Sequence, residues 1–246
     1  MEINAKALDF RGLLHLINLC TIFIAMKNLP PQQYLEIICL IIGLIILFVK
    51  RDLSFYLKLL LVILFVTVIV ELIGFFIGRK SGATTIPLYN FFITFEFTFY
   101  LWMIREIVKN IKARSIMRYI FLIYPILCLT NIFFIQGFYK FQSVTYSLGC
   151  LLIMAFSIYY FFELFQTKHS VNLVRQPAFW ICSGLLFYYS CTFFIFAFVN
   201  FLPRLSLSTQ QLILNAINLL NILLYLMFSI AFLCRFRITK SQQSLS

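Results

Sequence analysis

Seven stretches of this chain, roughly 33–49, 56–78, 87–104, 118–135, 143–165, 178–201 and 211–234, are almost continuously apolar. A helix needs about 20 such residues to cross a hydrocarbon core of about 30 Å. Six of the stretches meet that length or nearly so, and the first reaches it by borrowing flanking residues. The runs are too long for the strands of a membrane barrel, which take about 10 residues each and alternate in polarity. The expected fold is therefore all-α: a polytopic transmembrane helix bundle with seven core spans. Composition agrees, with 63% of the residues hydrophobic and 11% charged. A soluble domain has about 45–50% and about 25%, and could not cover so much apolar surface.

Three regions follow: an N-terminal segment 1–32, a bundle 33–234 and a polar tail 235–246. Within the first, residues 12–27 form a shorter apolar stretch interrupted by His15 and Asn18, read as an eighth short helix that either crosses or lies at the interface. No small-x-small cleavage site follows it, so it reads as retained rather than as a signal peptide. Pro30 and Pro31 then interrupt the chain.

The net charge of +12 sits at the ends of the apolar runs. If the first core span starts outside, thirteen of the 20 basic residues fall on one side: Lys50, Arg51, Lys58, Arg105, Lys109, Lys112, Arg114, Arg118, Lys168, Arg175, Arg235, Arg237 and Lys240. That bias makes this side, and the C-terminus, cytoplasmic. Trp102 and Trp180 fall at interface depth on the same side, where indole is favoured. We refer to this side as the basic end and to the other as the outer end. The basic residues flank spans rather than forming a separate domain, so they suit anionic lipid and exclude nucleic acid as a partner.

Ionisable groups inside a membrane need a reason. Glu71 lies about 10 Å from the outer end of its helix and Glu96 about 13 Å from the outer end of the next, by helix rise. Antiparallel neighbours would bring them to similar depth. Two bare carboxylates at low dielectric repel, so a pair that met would share a proton or be neutral. Tyr89, Glu96 and Tyr100 share a helix face, with Asn90 near the outer end. In the last span Asn215, Asn218, Asn221, Tyr225 and Ser229 recur at helical spacing within an arc of about 120°. Lipid cannot satisfy amides, so this stripe faces the interior. Two uses remain open: interhelical hydrogen bonds that fix packing, or the wall of a polar cavity. The candidate ligand-binding residues are Glu71, Glu96, Tyr89, Asn90, Asn215, Asn218, Asn221 and Tyr225. Pro125 should kink its helix, and Gly74 and Gly78 form a GxxxG step suited to close packing within the chain.

Several chemistries are missing. The two histidines, His15 and His169, lie outside the core spans, and the two aspartates, Asp9 and Asp52, do too. This leaves no zinc site, no aspartyl dyad and no serine–histidine pair in the membrane. No phosphate-cradling glycine loop occurs. The seven cysteines form no CxxC pair and read as small packing side chains. No cofactor, metal or catalytic residue is expected, and a hydrolase is disfavoured.

The segment Glu71-Leu-Ile-Gly74, then Leu88-Tyr89-Asn90 followed by Glu96, the run Phe179-Trp180 to Gly184 with Tyr188-Tyr189, and the Asn-rich last helix resemble a group of uncharacterised small inner-membrane proteins of Bacteroidota with about seven spans. The resemblance covers 33–234. It implies a bacterial inner (cytoplasmic) membrane and no mechanism. The leading expectation is a receptor-like or accessory protein with a polar cavity in the outer half. Its expected contacts are membrane lipids, a small ligand or lipid headgroup, and a membrane-protein partner. The alternatives are a small-solute or ion transporter with a polar path to the basic end, a lipid-acting membrane enzyme, or an assembly protein whose polar groups only specify packing.

Overall fold

A computed structural model describes residues 31–49, 53–81, 84–166, 172–197 and 205–243. The short segment 12–27, His15 and His169 lie outside them. The described chain is helical: α1 (Pro31–Val49), α2 (Phe55–Ser81), α3 (Ile86–Ile107), α4 (Ile111–Thr130), α5 (Ser143–Phe165), α6 (Pro177–Ala197) and α7 (Leu207–Gln243). Proline opens α1 and α6 and stands in the first turn of α3, where its missing N–H costs no intrahelical bond. Asn110 caps α4, its side chain accepting from Lys112 N at 2.9 Å and Ala113 N at 3.3 Å.

The helices close a ring in the order α1, α2, α3, α5, α6, α7, with α7 returning to α1 and α4 attached outside against α3. Six of the described helices are long and apolar enough to cross a membrane, and their outward faces are apolar: Ile41 and Ile45 on α1, Phe65 and Ile69 on α2, Leu122 and Ile126 on α4, Leu219 and Leu226 on α7 are all exposed. The chain is a polytopic transmembrane helix bundle.

The seventh helix, α3, is not among these six and lies mostly within the bundle. Its buried positions include Asn90, Thr94, Phe97, Tyr100, Leu101 and Ile104. Phe97 is fully buried and its ring meets Tyr124 of α4, Tyr146 of α5 and Tyr189 of α6 at centroid distances of 5.9, 5.1 and 5.0 Å. A helix surrounded by protein can carry polar groups that a lipid-facing helix cannot.

Helix limits differ from the expected ones at α4 and α7. The first starts at Ile111 rather than near 118, because Lys112, Arg114 and Arg118 are good helix formers that extend a capped helix beyond the apolar stretch. The second continues to Gln243, past the boundary at 235 where a tail is expected. Pro125 lies inside α4 without ending it, and the irregularity comes later, as a π-helical turn at Asn131–Ile135. Among the described residues the cysteines are free, and Cys39, Cys128, Cys150 and Cys182 are buried.

Candidate functional site

The outer half of the bundle encloses a cavity of about 530 Å³. Every helix except α4 contributes to its lining: Gln32 from α1, Thr67 and Glu71 from α2, Tyr89 and Glu96 from α3, Tyr146 from α5, Tyr188 and Phe196 from α6, and Asn218, Asn221 and Tyr225 from α7. Phe141, from the chain between α4 and α5, completes it. The volume falls within the range of about 300–1,000 Å³ usual for small-molecule sites.

Glu71 is held from two sides. Gln33 Nε2 donates to Glu71 Oε2 at 3.0 Å, and the Tyr89 hydroxyl donates to the same oxygen at 3.3 Å. Glu96 interacts with the Tyr100 hydroxyl one turn along the same helix. No hydrogen bond joins Glu71 to Glu96. They share the cavity wall and each other's electrostatic field, not a common proton bridge. The Tyr188 hydroxyl interacts with Asn221, which links α6 to α7 across the space.

A third carboxyl lies beside them. Glu36 is 2% exposed, and among the described residues its Oε1 has no hydrogen-bond partner. Its carboxyl lies near Tyr225, Glu71 and Glu96, and Glu36 and Glu71 together line a small cleft between α1 and α2. Inspection of the sequence passes over Glu36, since it stands one turn into a short span where a carboxyl can be expected to reach the interface. The signal that finds it is the stripe Gln32, Glu36, Cys39, Gly43, polar or small at spacings of 4, 3 and 4, which marks the inward face of α1. Gly43 confirms that face, because a Cβ there would lie 2.7 Å from Leu61 of α2 and 3.0 Å from Phe232 of α7.

Six of the eight candidate residues line the cavity: Glu71, Glu96, Tyr89, Asn218, Asn221 and Tyr225. Asn90 and Asn215 do not. Asn90 is fully buried on the side of α3 facing the chain between α4 and α5. Its Nδ2 donates to Lys140 O at 2.9 Å, and its Oδ1 accepts from Gln142 N at 3.2 Å. Asn131 and Thr145 extend this network, with Asn131 Nδ2 donating to Thr145 Oγ1 at 3.2 Å. Asn215 is exposed. At about 100° per residue it lies about 120° around α7 from Asn221, at the edge of the stripe rather than its centre.

Toward the basic end the core turns apolar. Tyr100, Leu101, Ile104, Leu185, Phe228 and Phe232 are each at most 2% exposed. Ser229, the last member of the α7 stripe, donates to its own helix at Tyr225 O, 2.8 Å away. A separate, smaller cavity of about 260 Å³ lies at the basic end among Tyr56, Glu106, Tyr160 and Glu163. There Glu163 accepts from the backbone N–H groups of Lys109 and Asn110 at 2.9 and 2.7 Å, and Glu106 pairs with Arg105 and Arg114.

Comparison with protein-family models, curated proteins and solved structures finds no match to this chain. Any functional reading rests on the site itself.

Proposed function

We propose that this chain is a multi-pass protein of a bacterial inner membrane whose outer-half cavity binds a small ligand or a lipid headgroup, and that it acts as a receptor-like or accessory protein. The membrane assignment is supported by the resemblance of 33–234 and by the basic bias of one end. The single observation that carries the ligand reading is the cavity of about 530 Å³ where Glu71, Glu96, Tyr89, Asn218, Asn221 and Tyr225 converge. Polar groups that served only packing would close on each other, as Asn90, Gln142 and Thr94 do, with Gln142 Nε2 donating to Thr94 Oγ1 at 3.1 Å. Those of the cavity also have partners, Gln33 and Tyr89 for Glu71 and Asn221 for Tyr188, but they border a space that the described side chains do not fill.

The fully buried apolar floor at Leu101, Leu185 and Phe228 favours binding over transport in this conformation.

The test is mass spectrometry of the protein purified in its native lipid, beside an Ile217→Trp variant whose larger side chain occupies the cavity. A small molecule or distinct lipid that accompanies the wild type and is lost from the variant supports the reading. Identical bulk lipid from both would sink it.

A further inference from the structure

We infer that the occupant of the outer cavity carries a positive charge on an organic group, either a protonated amine or a quaternary ammonium. This rests on the reading of the cavity as a ligand site and narrows it to a chemical class.

The first argument is charge complementarity. The chain has 20 Lys and Arg against 8 Asp and Glu, yet among the described residues no basic side chain lines the cavity, while Glu71 and Glu96 do. Carboxyls in a membrane interior are expensive unless something compensates them. At the basic end compensation comes from the protein: Glu106 has Arg105 and Arg114, and Glu163 has two backbone N–H groups. In the outer cavity it comes, among the described residues, only from phenols and one amide.

The second argument comes from a third carboxyl. Glu36 is buried behind the wall, and its Oε1 has no partner among the described residues. A buried acceptor without a donor costs about 1–3 kcal/mol, a cost that persists where function requires it. A cationic group in the cavity would offset the field of all three carboxyls together.

The third concerns which cation. Among the described residues no three His, Cys, Asp or Glu side chains converge closely enough to hold a metal ion. The acidic groups are spread around a space of about 530 Å³, whose wall also presents the rings of Tyr89, Tyr146, Tyr188 and Phe196. Carboxylates at a distance combined with aromatic side chains suit a bulky, weakly hydrated ammonium, which an aromatic face attracts.

The experiment compares matched pairs on the full-length wild type in nanodiscs of an uncharged glycolipid, which carries no ammonium group, by titration calorimetry: choline against its uncharged isostere 3,3-dimethylbutan-1-ol, and benzyltrimethylammonium against neopentylbenzene. At least one cation should bind at least about 30-fold more tightly than its isostere, the ratio expected for a buried charge pairing. Glu96→Gln should remove most of that preference, whereas Glu163→Gln at the opposite end should leave it intact. Equal binding of charged and uncharged partners would overturn the cation while leaving a ligand site. No binding of any probe above empty nanodiscs would also overturn it, and the co-purification experiment then decides separately whether the cavity binds anything else. The wild-type comparison does not depend on any variant folding.

Discussion

The Tyr89 hydroxyl reaches Glu71 from the neighbouring helix by passing over Gly74, one turn beyond Glu71 on α2. A Cβ at Gly74 would lie 2.7 Å from the Tyr89 oxygen and 3.2 Å from Cζ. The glycine therefore sets the approach of α3 to α2 and places the phenol that donates to Glu71 at 3.3 Å. The second glycine of the GxxxG step, Gly78, has no atom within 4 Å of such a Cβ. The step is half a packing motif, and the half that packs serves the cavity.

Gly74→Ala should accordingly destabilise the protein by about 1–3 kcal/mol, the cost of overpacking a fitted site. The clash is mainly with one oxygen, so Tyr89→Phe should relieve it. In a double-mutant cycle read by thermal unfolding, Gly74→Ala should cost clearly less in the Tyr89→Phe background than in the wild type. Equal costs in both backgrounds would show that the glycine is not there for the hydroxyl.

A similar argument separates Gly149 from Gly78. At Gly149 on α5 a Cβ would lie 2.6 Å from both Phe97 Cδ1 and Tyr124 Oη, inside the aromatic hub of α3, α4 and α5. Gly149→Ala should cost about 1–3 kcal/mol or more, while Gly78→Ala should be neutral or stabilise by up to about 1 kcal/mol through helix propensity. Melting curves of the two variants in one detergent check the order.

Much of this fold can be read from the residues because a bilayer allows so little else. Long apolar runs specify helices, and their basic ends specify alternation, so seven helices follow. Helix rotation and packing order do not follow. Depth arithmetic brings Glu71 and Glu96 to one level, and both line the cavity, but it is silent on their separate partners, Tyr89 and Tyr100. The α7 stripe identifies an inward face, and Asn218, Asn221 and Tyr225 lie on it. Asn215 falls outside because the arc is wider than the space it borders. Asn90 looks like a cavity residue by position, and only the path of the chain between α4 and α5 shows why it is spent elsewhere.

Asn90 should thus behave as a structural residue. Asn90→Ala removes the bonds to Lys140 O and Gln142 N and leaves the buried Gln142 N–H without this partner. A loss of about 1–3 kcal/mol is expected, measured by thermal unfolding, with hydrogen exchange increasing around 138–142. Once folded, the variant should retain whatever ligand accompanies the wild type. Selective loss of ligand at unchanged stability would return Asn90 to the binding site.

Glu36 offers the sharpest separation of a functional carboxyl from a structural one. Its side chain is 2% exposed with one oxygen unpartnered, while its neighbours Cys39 and Leu40 on the same face are buried and apolar or nearly so. A carboxyl retained only for packing would be missed when removed, and Glu36→Leu would lower the melting temperature. A carboxyl retained for a ligand is a burden on the empty protein. Replacing a poorly compensated buried polar group by a hydrophobe of similar size commonly stabilises by about 1–4 kcal/mol. Glu36→Leu should therefore raise the melting temperature of the ligand-free protein and at the same time weaken binding of the ammonium probes, with Glu36→Gln intermediate in both. Opposite movement of stability and binding is the signature of a site. If both fall together, Glu36 belongs to the scaffold that joins α1 to α7 through Tyr225.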